Sequence, residues 1–234
     1  MRKSILLGLA LALGACSPSI NPQMKAATDG LSAQFQANAR SAAVPASYEP
    51  IKWGVGQWIV MRTTNEKGEV AIQRISVVGE EAGGVWLEFE SQDYHHHTIT
   101  KILYNKMPRT VDEASDAILK VVTKSDDKEV QTIDMTTGPL AGLQKSMFKS
   151  VAQNAVVSSD VAQASKEDVT VPAGTFQGTA KFSVTASFAG MSQKSTSWFH
   201  PSVPINGAVK GVSDDGKWKL DLLDYGMTGA TSKL

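Results

Sequence analysis

Short runs in which apolar residues alternate with polar ones recur along most of the chain, and this period of two predicts β-strands. Within residues 85–90, for example, the apolar residues Val85, Leu87 and Phe89 fall on one face of an extended chain. The opposite face carries Trp86, Glu88 and Glu90. The predicted strands are residues 56–64, 69–78, 85–91, 98–104, 118–123, 129–135, 181–188, 193–199, 208–212 and 218–225.

Residues that favour tight turns separate many of these strands. Residues 65–68, 79–84 and 214–216 are rich in Gly, Asn, Asp and Glu and predict hairpin loops, which join antiparallel neighbours. The pattern therefore predicts a mostly β protein (α+β) with an antiparallel sheet or an open barrel. Two groups of strands flank residues 139–154, and we interpret them as halves of one curved sheet in a domain of residues 51–234.

Two segments have helical periodicity. Asn21 is a suitable N-cap, Pro22 suits the first helical position, and the apolar residues at 24, 27, 31 and 35 predict an amphipathic helix to about residue 40. This helix either packs on the domain or lies on a membrane surface, and the scarcity of basic residues on its polar face favours the domain. Residues 41–50 contain two prolines and indicate a linker, whereas residues 139–154 predict a second helix.

The N-terminal segment has the features of an export signal. Arg2 and Lys3 precede an apolar stretch that is too short to span a bilayer permanently, and the stretch ends in Leu-Gly-Ala-Cys at Cys16. This ending resembles the bacterial lipobox, which implies a signal peptide of residues 1–15, removed by cleavage, and lipid attached to Cys16. The alternative is an ordinary secretory signal that leaves a free N-terminal cysteine.

The cysteine count supports lipidation. Cys16 is the only cysteine, so no disulfide can form within the chain even though the destination of an exported protein is oxidising. The lipobox resemblance implies several acyl chains on Cys16, and two or more chains hold a protein firmly on a membrane, so we expect a stable anchor. Residues 16–50 then comprise the lipidated N-terminus, the helix and the linker. Ser17 follows the cysteine where inner-membrane lipoproteins of enteric bacteria often have Asp, so we expect the periplasmic face of the outer membrane rather than the inner membrane.

Charge and motifs argue against nucleic-acid binding and against catalysis. The 23 basic and 23 acidic residues balance, and no basic stripe occurs, so we expect no nucleic-acid partner. The sequence contains no G-x-S-x-G motif, and the glycines near residue 55 lack the spacing of a phosphate-binding loop. The paired acids Glu80-Glu81, Asp126-Asp127 and Asp214-Asp215 all fall in predicted turns, where we expect solvated side chains. We therefore expect a protein that is not an enzyme and that has no cofactor.

Three consecutive histidines are the one candidate for a metal site. On a strand, His95 and His97 share a face, a spacing that suits two imidazole ligands of Zn²⁺ or Cu²⁺, with Glu90 and Asp93 as further candidates. The simpler interpretation is a solvated connection between strands, which we prefer because no second cluster of ligands accompanies the histidines. His200 precedes a proline in a turn and is expected to be structural.

Several motifs together resemble uncharacterised bacterial lipoproteins and periplasmic proteins whose fold is similar to the lipoprotein carriers of the LolA/LolB type. The motifs are GQWIVMRTT, GGVWLEFE, ITKILY, VTVPAGTFQG, SWFHPSVPINGAVKG and DYGMTGATSK. The resemblance implies a strongly curved antiparallel sheet, an incomplete β-barrel, with one or two packed helices. It implies no activity, because a fold does not fix a function. Within VPAGTF, Pro172 and Gly174 suit a turn that starts the next strand.

The functional hypothesis is a membrane-anchored, periplasm-facing lipoprotein that binds a lipid or another hydrophobic ligand in the concave side of the sheet. Its five tryptophans either fill the core or line such a groove. The competing hypothesis is a protein-interaction or structural module of the cell envelope, which predicts a packed core and an exposed apolar patch instead.

Overall fold

The computed structural model describes residues 19–35, 40–108, 113, 116–126, 128–135, 161, 164–188 and 191–234. These residues form one helix and twelve strands, which confirms the mostly β class. The elements are α1 (Pro22–Ala33), β1 (Ser41–Ala42), β2 (Trp58–Asn65), β3 (Val70–Glu81), β4 (Gly84–Gln92), β5 (His97–Tyr104), β6 (Ile118–Ser125), β7 (Gln131–Asp134), β8 (Ser165–Val171), β9 (Gly174–Phe188), β10 (Met191–Phe199), β11 (Ala208–Ser213) and β12 (Trp218–Gly226).

All twelve strands belong to a single sheet. Strands β2 to β7 form one antiparallel meander and β8 to β12 form another, and the pairing of β12 with β2 joins the two. The two predicted groups of strands are therefore halves of one sheet, as expected. The short β1 pairs with β9 in parallel, which makes the sheet mixed.

The predicted curvature of the sheet is wrong. The order of described strands runs from β1 and β9 to β7 without returning to its start, and the sheet is neither closed nor strongly curled. Alternation and turn residues determine which strands pair, but curling depends on accumulated twist and on bulges, which those patterns do not encode. The second predicted helix, residues 139–154, lies outside the described residues.

The two faces of the sheet have different coverings. The inner face, defined by Ile59, Ile75, Leu87 and Ile102, carries the main hydrophobic core, and each of these side chains is fully buried. The outer face packs against α1. The residues of this smaller apolar cluster are Val60, Ile72 and Leu223 from the sheet, with Leu31, Phe35, Trp58 and Val70 packed against them.

Helix α1 packs on the domain, as the scarcity of basic residues indicated. Asn21 caps it by accepting hydrogen bonds from the backbone N–H groups of residues 23 and 24, and the helix ends at Ala33 rather than near residue 40. Its one fully buried residue is Thr28, whose hydroxyl donates to the carbonyl of Asp93 at 2.9 Å, whereas the predicted core residue Ala27 is exposed. Among the described residues, no helix has the length and hydrophobicity needed to cross a bilayer.

The turn before β9 shows why VPAGTF contains a glycine. Gly174 has a φ of +136°, and a Cβ at this position would lie 2.4 Å from the carbonyl oxygen of Arg40. The neighbouring Thr175 donates its backbone N–H to that same oxygen at 2.9 Å. Gly174 therefore allows β1 to approach the start of β9, in agreement with the structural role expected for this motif.

Candidate functional site

A polar group on the inner face lacks a hydrogen-bond partner. Tyr104, the last residue of β5, is fully buried, and its hydroxyl has no hydrogen-bond partner among the described residues. Burial raises the pKa of this phenol far above its ordinary value, so the group is a neutral hydroxyl at every physiological pH. An unpartnered buried hydroxyl costs about 1–3 kcal/mol, which makes this position unusual in an apolar core.

Apolar side chains surround this hydroxyl-bearing ring. Tyr104 pairs across the sheet with Val85 of β4 and with Ile118 of β6. The indole of Trp53 meets the phenol ring edge-to-face, with 5.5 Å between ring centroids, and donates its N–H to the carbonyl of Ile205 at 3.1 Å. We call these five residues the inner-face site. Trp53 is half-buried, so the site extends from the core to the surface.

The other tryptophans do not join this site. Trp58 contacts the outer-face cluster beside α1, and Trp218 packs over Gly211, where an added Cβ would lie 3.0 Å from the ring. Among the described residues, Trp53 is therefore the one tryptophan that lines the inner-face site, and a groove lined by several tryptophans is not present there.

Trp86 forms a polar cluster with three charged neighbours. Its indole N–H donates to Glu81 at 3.1 Å, Lys120 pairs with the same carboxylate at 3.2 Å, and the ammonium groups of Lys101 and Lys120 lie over the ring. The hydrogen bonds from Lys120 and Trp86 lower the pKa of Glu81.

Trp198 repeats this arrangement in the other half of the sheet. Its indole N–H donates to Glu167 at 2.6 Å, Lys181 pairs with that carboxylate at 3.4 Å, and Lys181 and Lys210 flank the ring. The hydrogen bond from Trp198 is the main cause of the lowered pKa of Glu167. Both tryptophans are buried, Trp198 as a member of the main hydrophobic core, and both indole N–H groups have carboxylate partners, which is a structural arrangement. Sequence reasoning missed both clusters, because their members come from separate strands.

The histidines have separate acidic partners. His97 Nε2 lies 3.0 Å from Glu90 Oε1, and His96 Nδ1 lies 3.1 Å from Asp126 Oδ2. Burial acts to raise the pKa of Glu90, but hydrogen bonds from Lys233 and His97 outweigh it and hold the pKa below its ordinary value. These are ion pairs when the histidines are protonated.

Of the candidate metal ligands, the structure brings His97 to Glu90, but among the described residues no third ligand joins them and His95 is not part of the pair. Asp93 instead accepts the backbone N–H groups of residues 95 and 96 at 2.7 and 2.8 Å, as the cap of a tight turn. The ring of His95 contributes a buried Nδ1 without a hydrogen-bond partner. Within the described part of the chain, no group of three His, Cys, Asp or Glu side chains has an arrangement that would hold a metal ion.

His200 is buried and links three segments of chain. Its Nε2 lies 3.2 Å from the carbonyl oxygens of Ala43 and Gln177, while Nδ1 accepts hydrogen bonds from the hydroxyl and backbone N–H of Ser202. This pattern requires a proton on Nε2 and none on Nδ1. Burial lowers the pKa of His200, so the ring is neutral, as expected of a structural histidine.

Segment 230–234 covers an acidic residue that the alternating pattern places on the outer face. Glu88 is buried and accepts hydrogen bonds from the Ser232 hydroxyl at 2.8 Å and from the Lys233 backbone N–H at 3.0 and 3.1 Å. The Lys233 ammonium reaches Glu90 at 2.6 Å, and Lys101 donates to the carbonyl of Leu234. The segment is thus fastened to β4 and β5 by charge-assisted hydrogen bonds.

Cys16, the predicted site of lipidation, lies outside the described residues, so its modification stays a prediction. The first described residues, 19–21, run beside the β4–β5 turn, where the backbone N–H of Asn21 donates to the carbonyl of Tyr94 at 3.0 Å.

Comparison with known proteins gives distant structural matches only. No protein-family model matches the chain, and no curated protein matches its sequence. A protein from Bacteroides fragilis, named as exported and as having a YmcC-like fold, matches with 12% identity and a TM-score of 0.35 over 77% of this chain and 100% of its own. A protein from Parabacteroides distasonis, named as a lipoprotein, matches with 11% identity and a TM-score of 0.32 over 75% of this chain and 97% of its own. The predicted LolA/LolB likeness is not confirmed by these matches.

Proposed function

We propose that this protein is a lipid-anchored, periplasm-facing lipoprotein without catalytic activity, which binds a lipid or another hydrophobic ligand at the inner-face site. The observation that carries the proposal is the unpartnered hydroxyl of Tyr104 within an apolar surrounding. Because native proteins pair nearly all buried polar groups, an orphan hydroxyl in a core invites a partner from outside the chain.

The chemistry of the site selects a class of ligand. Val85, Ile118 and Ile205 offer only apolar surface, which suits an acyl chain. The Tyr104 hydroxyl can donate one hydrogen bond to a carbonyl or carboxyl oxygen, and the half-buried Trp53 gives an amphipathic edge at the surface. A fatty acyl group with one oxygen-bearing end satisfies both requirements.

The location of the protein is inferred from its N-terminal sequence. Lipid on Cys16 would hold the domain at a membrane, and Ser17 favours the outer membrane over the inner one. The five residues of the inner-face site include no carboxylate, imidazole or thiol, so they offer no nucleophile beside a general base. Binding without chemical conversion is the function that fits them.

Native mass spectrometry of the Cys16→Ser domain tests the binding proposal. We expect the domain to retain a fatty acid or phospholipid when it is purified from cells or mixed with those lipids. Replacing Tyr104 with Phe removes one hydrogen bond and should weaken retention about tenfold, which corresponds to roughly 1.4 kcal/mol. The matched control is Tyr94→Phe, which removes a hydroxyl paired with Asp29, away from the inner face, and should leave retention unchanged. A domain that stays empty with every lipid contradicts the proposal.

A second candidate, a protein-interaction module of the envelope, is favoured by the edge of the sheet. Among the described residues β7 pairs with β6 alone, three of its four residues are exposed, and Val130 beside it is 52% exposed. An edge strand of this kind can accept a strand from a partner. If this candidate is right, a photocrosslinker at Gln131 should capture one defined envelope protein in cells. A photocrosslinker at Glu80, near the end of β3 and away from β7, should not.

A further inference from the structure

The place where the chain enters the fold determines which part of the molecule lies near the tether. The N–H of Asn21 bonds to the carbonyl of Tyr94, and the Tyr94 hydroxyl bonds to Asp29 at 2.7 Å, so α1 begins beside the β4–β5 turn. Four peptide units separate Cys16 from Ile20. Whatever their conformation, they span at most roughly 14 Å.

The β4–β5 turn belongs to one end of the sheet, which we call the tether end. The connections β2–β3, β4–β5, β6–β7 and β11–β12 all lie there, because these strands are antiparallel neighbours in one sheet. The β3–β4 turn, with Glu80 before it, lies at the opposite end. The nine residues of β4 put about 30 Å between the two ends, more than twice the reach of the tether.

We infer that the tether end faces the membrane and that the opposite end faces away from it. This inference rests on the proposed lipidation of Cys16, because the tether matters only if lipid holds that residue at the bilayer. Ile20 and Val130, both exposed apolar residues, lie at the tether end and suit the headgroup boundary. Val55 and Met227 are exposed at the opposite end, so exposed hydrophobicity alone does not choose between the ends; the tether does.

Electrostatics does not set this orientation. The described loops of the tether end contain more acidic than basic residues, with Glu66, Asp93 and Asp215 among them, and they gain nothing from anionic headgroups. The covalent tether is therefore the cause, and the orientation should be the same on zwitterionic and on anionic vesicles. The end of the sheet at which β5 terminates in Tyr104 then points toward the aqueous side, where a soluble partner or ligand has access.

Fluorescence quenching tests the orientation. Because lipid blocks Cys16 and the chain has no other cysteine, a cysteine introduced at Lys128 or at Glu80 is labelled uniquely in the lipidated full-length protein. Lys128 is exposed in the β6–β7 connection, and Glu80 is exposed at the opposite end. In vesicles whose lipids carry a nitroxide on the headgroup, we expect the fluorophore at 128 to be quenched at least twofold more than the one at 80. A flexible Gly/Ser insertion of roughly twelve residues after Ser17 should remove most of this difference.

The outcomes separate the orientation from the anchor. Equal quenching at the two positions, or stronger quenching at 80, in protein that stays membrane-bound overturns the orientation and leaves the lipid anchor standing. The same labels in the Cys16→Ser protein should not be quenched at all. If the Cys16→Ser protein still bound to vesicles and its fluorophores were still quenched, the proposed anchor itself would be overturned.

Discussion

Among the residues on the outer face of the sheet, Glu88 should be one of those whose substitution lowers stability most, because its carboxylate holds segment 230–234 in place. It is 3% exposed and accepts two donors from that segment, the Ser232 hydroxyl and the Lys233 backbone N–H. In Glu88→Gln, an NH₂ group replaces one carboxylate oxygen. This group is itself a hydrogen-bond donor, so it cannot accept a hydrogen bond from Ser232 or Lys233. The shape of the side chain is preserved, so the change isolates the charge-assisted hydrogen bonds.

The expected loss follows from the bonds. A hydrogen bond to a charged group contributes about 1.5–3 kcal/mol, and the substitution removes one acceptor and weakens the other. We expect the free energy of unfolding to fall by about 2–3 kcal/mol. With a urea slope of roughly 2 kcal/mol per molar, the midpoint of urea unfolding should drop by about 1–1.5 M at an unchanged slope.

Glu80→Gln provides the matched control, since Glu80 is exposed on the neighbouring strand β3 and should shift the midpoint very little. Hydrogen exchange adds a local measure: the amides of segment 230–234 should lose protection in Glu88→Gln and keep it in Glu80→Gln. A midpoint shift below about 0.3 M for Glu88→Gln, with protection of the segment intact, would show that the segment is held by something other than this carboxylate.

Three further predictions concern the stability of the fold. Burial lowers the pKa of His200 below its ordinary value of 6.5, so the unfolded chain binds the proton more tightly than the folded one. The free energy of unfolding should therefore fall as the pH drops below about 6.5. In urea unfolding at several pH values, His200→Gln should flatten this part of the profile. Gly174→Ala should cost more than about 2 kcal/mol in the same assay, since its Cβ meets the Arg40 carbonyl and its φ is positive, and a smaller loss would deny the close approach. Thr28→Val should cost about 1 kcal/mol and weaken protection of α1 by leaving the Asp93 carbonyl short of a donor, whereas unchanged protection would contradict the docking contact.

The strands could be predicted because the chain alternates in hydrophobicity and marks its turns. The predicted strand 85–91 lies within β4, Gly84–Gln92, and ten of the twelve strands overlap a prediction. The two that were missed lack the signal. Strand β8 has the sequence SKEDVTV, in which three consecutive charged residues interrupt any alternation, and the two-residue β1 exists only because it pairs with β9. A short strand of this kind depends on a partner far along the chain and has no local pattern of its own.

The long-range contacts of segment 230–234 and of the inner-face site were less accessible to sequence reasoning. Alternation placed Glu88 on the polar face correctly, but its burial comes from Ser232 and Lys233, 144 and 145 residues away. The burial of the Tyr104 hydroxyl without a partner likewise arises only when β4, β5 and β6 pack together. Nothing in the local sequence ITKILY distinguishes this hydroxyl from a solvated one. The histidine run shows the reverse case: a strong local pattern whose members turn to separate partners once the loops are formed.

The two terminal segments lie on the same side of the sheet, and this has a consequence for how anchoring and binding relate. Helix α1 covers Val60 on the outer face, and segment 230–234 covers Glu88 on that face, while Tyr104 lies on the inner face. A change that releases the tether therefore acts on the outer face and leaves the packing around Tyr104 in place. Cys16→Ser should abolish membrane attachment without altering ligand retention, and Tyr104→Phe should do the reverse. If either substitution changed both properties, the inner-face site and the anchor would be coupled through the sheet, and the separation of the two faces would not describe how the protein works.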